Sequence, residues 1–260
     1  MKIIALADQK GGVGKTTSAV SLASLLNAAG HRTLLIDADS QGNSTDTYRA
    51  KTEGTATLYD LIIDDEPCTL EETIQETEYG DIIAADNMLV MAESKLSGED
   101  AFLKLKNALK ELKGYEYVII DTNPALNAIL CNVLTASDEV IIPMKPDRYT
   151  ILGISQFTDT FSSIKKSLNR DLSIRGLLLV DVDTRVNVDR LVQEEITKIA
   201  KEIGTVAFST YIRHTAKCRE AQLARMPLVL YSPRCTAARD YKAFVEELLG
   251  EEQRWQEKQG

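Results

Sequence analysis

Apolar residues fall along this chain in short unbroken runs, separated by longer stretches in which they recur every three or four positions. The runs are Lys2 to Ala7, Thr33 to Ile36, Asp81 to Ala84, Met88 to Met91, Tyr117 to Ile120, Val140 to Ile142 and Ile174 to Val180. Each has the length of a strand. Continuous rather than alternating apolar character predicts strands buried on both faces. Between them the spacing turns helical, over Ser18 to Ala29, 55–63, 69–77, Asp100 to Leu112, the segment after Pro124, 151–168, 188–202 and 236–249. Acidic residues connect 55–63 to 69–77, and Met88 to Met91 reads as a strand across a turn from Asp81 to Ala84. Strands alternating with helices predict an α/β fold: a doubly wound, mostly parallel sheet with helices on both faces. No repeat, low-complexity linker or break interrupts the pattern. Residues 1–250 are therefore expected to form one domain, with 251–260 a frayed tail.

In a doubly wound sheet the ligand sits at the carboxyl ends of the strands, and three of these strands end in polar residues of one kind of chemistry. The first runs into Ala7-Asp8-Gln9-Lys10-Gly11-Gly12-Val13-Gly14-Lys15-Thr16-Thr17 and then into a helix. Glycines 11, 12 and 14 allow backbone N–H groups to turn inward around a phosphate chain. The helix that follows presents its positive end to the same anion. Lys15 supplies charge for the β- and γ-phosphates, and the Thr16 hydroxyl is placed for Mg2+. The second strand ends in Asp37-Ala38-Asp39, two carboxylates facing the same way if the strand continues. One suits the metal shell and the other an attacking water; two aspartates capping a surface loop is the plainer alternative. The third ends in Ile119-Ile120-Asp121-Thr122-Asn123-Pro124, where Asp121 can hold Mg2+ directly or through water, or else cap a helix.

Composition narrows the class. With 44% hydrophobic residues and no stretch near the ~20 apolar residues a membrane span needs, the 260-residue chain reads as a soluble globular protein. The N-terminal apolar run is too short for a signal-peptide core. Cysteines 68, 131, 218 and 235 show no C-x-x-C spacing and read as free thiols in a reducing cytoplasm. A net charge of −9 argues against a protein that coats DNA all over.

The phosphate loop departs from G-x-x-x-x-G-K-[ST], because Gln9 occupies the first glycine position and Lys10 opens the loop. K-G-G-x-G-K-[ST] resembles the deviant Walker A motif of the ParA/MinD-type P-loop NTPases. The runs LADQKGGVGKTT, LLIDADSQGNST and YVIIDTNPALN are similar to the ParA/Soj partitioning family, as is the closing FSTYIRHTAKCREAQLARMPLVLYSPRCTAARDY, so the likeness spans essentially the whole chain. The resemblance implies an ATPase that hydrolyses ATP with Mg2+. Gly11, Gly12, Val13, Gly14, Lys15, Thr16 and Thr17 would wrap the phosphates, and Lys10 would reach across a homodimer to the partner's nucleotide. Asp39 would position the hydrolytic water, with Asp37 near the metal and Asp121 as the Walker B carboxylate. It further implies an ATP-bound dimer on nonspecific DNA, a ParB-like stimulating protein, and a cytoplasmic, nucleoid-associated role in chromosome or plasmid partitioning. The short form, starting directly at the first strand, looks like the members without an N-terminal helix-turn-helix domain.

This chain also departs from the pattern. Asp8 stands where asparagine is common and Asn123 where proline is usual. Met144-Lys145-Pro146-Asp147 follows no usual form, and Ile212 to Ala221 replaces a segment normally opening I-P-R-N-V-R. Between Tyr211 and Lys242, seven basic residues stand against Glu220 and Asp240, leaving fourteen net negative charges on the rest of the chain. That asymmetry suits a local phosphate-binding patch, with Lys217 and Arg234 first and Arg213 and Arg219 behind them, or else a solvated, internally paired basic face. Other classes fit less well. A MinD-like membrane-associated ATPase needs a basic amphipathic end, which Glu246, Glu247, Glu251 and Glu252 deny. An electron-donating iron protein needs paired cluster cysteines, and Cys131 has no fitting partner. A ParA-like scaffold for other cargo would use the same switch.

Overall fold

The computed structural model describes residues 1–63, 68–96, 98, 100–185 and 187–259. Its centre is a seven-stranded sheet: β1 (Lys2–Leu6), β2 (Thr33–Ala38), β3 (Ile74–Thr77), β4 (Gly80–Ile83), β5 (Tyr117–Thr122), β6 (Glu139–Met144) and β7 (Ser173–Leu179). In space the order is β3-β4-β2-β5-β1-β6-β7, all parallel except the β3 edge, which runs antiparallel to β4. The chain moves outward from β1 first through β2 and later through β6, so the order reverses beside β1 and opens a crevice there.

Both faces are covered, as the unbroken apolar runs require. Ile3 and Ala5 of β1 face one core, with Leu34, Ile36, Val118 and Ile120. Ile4 and Leu6 face the other, with Leu35, Ile119, Ile141 and Leu178. The helix Lys15–Ala28 and the C-terminal helix Thr236–Gln259 pack on this second face, where the Phe244 ring meets Phe208 edge-on at 4.9 Å. Gly176 makes room for Phe208, since a Cβ there would lie 2.6 Å from the ring.

Two elements differ from the sequence reading. Over 69–77 the expected helix lasts a single turn, Leu70–Thr73, opened by a capping box between Thr69 and Glu72. Ile74–Thr77 then pairs with β4 through a two-residue turn, and Gly80 takes φ +127°. The acidic run looked helical, but Thr73, Ile74 and Thr77 are β-branched and the turn brings β4 alongside. Met88 to Met91 is no strand. It enters the helix Leu89–Lys95, which with its C-cap Leu96 buries Leu89, Ala92 and Leu96 at helical spacing, while the N-cap Met88 and Val90 and Met91 are exposed. β3 already holds the sheet edge beyond β4, so this run has no strand to pair with. The acidic connection expected before 69 falls largely at 64–67, outside the described residues. Three short helices, Asn43–Thr47, Lys217–Leu223 and Leu228–Tyr231, were not foreseen. No helix among the described residues is long and apolar enough to cross a membrane, and the four cysteines are free.

Candidate nucleotide and metal site

A cavity of about 500 Å3 opens at the reversal point, lined by Gly11, Gly12, Gly14, Lys15, Thr16, Thr17 and Asp39. Lys145, Val180, Asp181, Ile212, His214, Cys218 and Tyr241 line it as well. The helix begins at Lys15, three residues before the expected Ser18, because Gly14 serves as its N-cap in a left-handed conformation (φ 84°). Gly12 is left-handed too, at φ +72°. Both values favour glycine strongly. The helix has no side-chain cap and no acidic residue in its first turn, so no residue of that turn answers its N-terminal dipole. Val13 is buried behind the loop.

Lys15 is only 6% exposed. Its ammonium donates to the Asp8 carbonyl at 3.0 Å and the Lys10 carbonyl at 2.9 Å, curling back along its own loop. Burial lowers its pKa, against the pull of the Asp8, Asp121 and Asp39 carboxylates. Asp8 lies buried beneath, one carboxylate oxygen accepting from Lys10 N–H at 3.3 Å and the other without a partner. Burial raises its pKa.

The strand ends align the acids. Leu6 of β1 and Asp37 of β2 both stand in register with Asp121 of β5. Asp37 and Asp121 are fully buried, and Asp39, just past the end of β2, is nearly so. None of the three is a surface cap; the helix after Pro124 is capped instead by Asn127, which accepts from Leu130 N–H at 2.9 Å. Asp37 is committed to the chain, one oxygen accepting from the Thr45 N–H and hydroxyl, both at 2.8 Å, and the other from Asp39 N–H at 3.1 Å. Asp39 accepts from Gln41 N–H at 3.0 Å and faces the cavity.

Asp121 is different. Its Oδ2 accepts from the Ser44 hydroxyl at 2.8 Å and the Thr16 hydroxyl lies close to this carboxylate, but Oδ1 is buried without a partner. Burial pushes the Asp37 and Asp121 carboxyls well above the usual range, and the Asp37 charge adds to the rise at Asp121. An orphaned carboxylate oxygen beside a threonine hydroxyl and an open phosphate cradle is the donor set of a hard dication that keeps phosphate oxygens as its other ligands. The residues present fit Mg2+, which Thr16 and Asp121 would hold, with Asp37 behind them.

Lys10 does not point into its own cradle. Its Nζ donates to both oxygens of Asp147, at 2.7 and 2.6 Å. Of the four basic residues singled out for DNA, Arg213 and Arg219 line the cavity, and Lys217 and Arg219 share the helix Lys217–Leu223. Arg213 grips Asp240 with two nitrogens, at 2.9 and 2.6 Å. Lys217 pairs with Glu220 at 2.7 Å on the outside of its short helix. Arg219 is exposed at the cavity rim and Arg234 is exposed before the last helix.

Several residues at the site carried no sequence signal strong enough to single them out. Ser44 and Thr45 lie in a run that reads as a polar loop, yet they supply the hydroxyls of both buried acids. Tyr241 looks like an ordinary core residue of an amphipathic helix. Its hydroxyl, however, meets Ser18 at 2.9 Å and ties the last helix to the phosphate-loop helix.

A family model described as an AAA domain matches residues 1–174. The sporulation initiation inhibitor protein Soj of Bacillus subtilis is 38% identical over 252 residues, covering 95% of this chain and 98% of that protein. The chromosome partitioning protein ParA of Myxococcus xanthus is 35% identical over 253 residues, covering 95% of this chain and 88% of that one. Among solved structures, cobyrinic acid a,c-diamide synthase from Mycobacterium smegmatis, with bound ADP and magnesium, superposes with a TM-score of 0.82 at 28% identity, covering 96% of this chain and 94% of that one. Fold, phosphate loop and relatives agree: this chain is a P-loop NTPase-like protein and belongs to the ParA/Soj family of chromosome-partitioning proteins.

Proposed function

We propose that this protein binds Mg-ATP and hydrolyses it slowly. ATP closes two copies face to face, and the dimer holds DNA without sequence preference until a ParB-like, centromere-bound protein stimulates turnover. The observation that carries the reading is the orphaned, fully buried Asp121 oxygen beside Thr16, at the mouth of a glycine-opened helix that has no cap of its own. Such a site stores unsatisfied charge that Mg-ATP would answer. When bound, Mg2+ would neutralise charge on the β- and γ-phosphates. Lys15 would leave two carbonyls for the phosphates, a charge-assisted contact replacing neutral ones. Asp39, at the cavity wall, would orient the attacking water, with Asp37 fixing its backbone. Lys10, aimed away from its own cradle, would complete the site of the second copy.

On this reading the protein works in the cytoplasm on the nucleoid, in chromosome or plasmid partitioning. Lys217 and Arg234 would lead the DNA contacts, with Arg213 and Arg219 supporting them. Sizing the purified protein with ATP, ADP or neither, with and without DNA, tests the switch and the DNA claim together. A dimer that appears with ATP alone and then shifts DNA supports both. An ATP dimer that never binds DNA leaves a scaffold for other cargo, and a monomer under every condition refutes the switch.

A further inference from the structure

Lys10 opens the phosphate loop, and Asp147 ends the turn that leaves β6. Their bidentate ion pair ties the phosphate loop to the turn after β6, with side chains 34% and 37% exposed. At that exposure an ion pair is modest and sensitive to salt. The turn that carries Asp147 is itself braced, its N–H donating to the Lys145 carbonyl at 2.8 Å. Lys145 sends its ammonium the other way, to Asp181 at 2.9 Å, and the second Asp181 oxygen meets His214 Nδ1 at 2.6 Å. Lys145, Asp181 and His214 all wall the nucleotide cavity. One turn therefore connects the loop-opening lysine to the chamber that a nucleotide would fill.

We propose that Asp147 is a positioning residue, the resting partner of Lys10, which holds the ammonium inside its own subunit and must release it before the lysine can reach the nucleotide of a second copy. The inference rests on the reading of Lys10 as a residue acting across the dimer. A lysine already paired gains on dimerisation only the difference between two anions. The terminal phosphate of ATP offers more negative charge than one carboxylate, and ADP lacks that group, so the exchange favours ATP. Apparent dimer affinity is reduced by the fraction of subunits in which Lys10 is released. Asp147 thereby sets the concentration at which ATP joins two copies.

Asp147→Asn keeps the shape and removes the charge, while Asp147→Glu keeps the charge. The measurement is the protein concentration at half-dimer with Mg-ATP, by sedimentation velocity at low and high salt, alongside Lys10→Ala; thermal melts confirm folding. Asp147→Asn should dimerise at about two- to five-fold lower concentration in low salt, the range expected of a partly exposed ion pair. The gap should close as salt is added. Asp147→Glu should return towards wild type, which a merely structural role for the turn would not produce. If Asn does not fold, Asp147→Ser reads the same sign. Should Lys10→Ala abolish the dimer while Asp147→Asn dimerises no more readily than wild type, the restraint is refuted and the lysine's role across the dimer survives. Should Lys10→Ala dimerise like wild type, that role falls, and the restraint with it.

Discussion

On the β2–β5–β1 side of the crevice, Asp37, Asp39 and Asp121 gather more buried negative charge than Lys15 alone can answer, and polar atoms of Asp8 and Asp121 are left without partners. On the β6–β7 side the charges have found one another: Lys10 with Asp147, Lys145 with Asp181, His214 with Asp181, Arg213 with Asp240 and Lys217 with Glu220. Unanswered buried charge costs stability until a ligand arrives, so the first side is built to bind. Self-paired charge competes with any ligand, so a ligand on the second side gains only the difference between two partners. The same crevice thus holds a strong site and a set of adjustable contacts.

The largest effect should come from the unanswered side. Lys15→Ala removes the one cation buried in the cradle, and a charge-assisted contact is worth about 1.5–3 kcal/mol. Calorimetry should show ATP affinity down by on the order of 100-fold from that loss. Unchanged affinity would mean that the cradle is not the nucleotide site. Next, Asp39→Ala should keep ATP but slow hydrolysis by about 100-fold or more, as expected when a water loses its orienting base. The variant should also accumulate as dimer. Normal turnover would transfer the role to another group and remove the functional distinction between Asp39 and Asp37.

The paired side should respond to charge and salt rather than collapse. A Lys217→Glu, Arg234→Glu double variant should dimerise with ATP yet lose DNA binding. Each lost phosphate contact flattens the salt dependence by about 0.9 in log–log slope. Retained DNA binding with the wild-type slope would move the patch elsewhere and leave these residues as a solvated face.

The smallest effect is on stability, and its sign separates the two sides. Folding raises the Asp37 carboxyl to about 6 and the Asp121 carboxyl to about 8, against roughly 4 in an unfolded chain. Between those values the folded protein binds more protons than the unfolded one, so stability without nucleotide should fall as pH rises from about 4 towards 8. Asp121→Asn should flatten that slope and raise the melting temperature of the nucleotide-free protein, by about 2–4 °C for each kcal/mol relieved. Differential scanning calorimetry across that range would show it. A nucleotide-free protein that grows more stable over the same window would mean that the two acids are compensated after all. Glu220, in the paired region, has its pKa lowered by Lys217 and should show none of this behaviour.

The sequence by itself determined the sheet and the phosphate end of the site. Unbroken apolar runs such as Ile119-Ile120 can be buried only between two layers, and the left-handed backbone at Gly12 and Gly14 leaves little choice of residue. Those signals are local, and so is the step from an apolar strand to an acid at its tip. Elements whose character depends on a neighbour were not legible. Ile74–Thr77 is a strand because β4 lies beside it, and the Met88 run is a helix because no strand edge was left for it. Ser44 serves Asp121 from 77 positions away. The basic segment shows the same limit most clearly: its excess of positive charge could be counted in the chain. Only the fold decided that Asp240 would hold Arg213 and that Asp147, 137 residues from Lys10, would hold that lysine. Pairing across such distances depends on where the strands end in space, and only the sheet order fixes that.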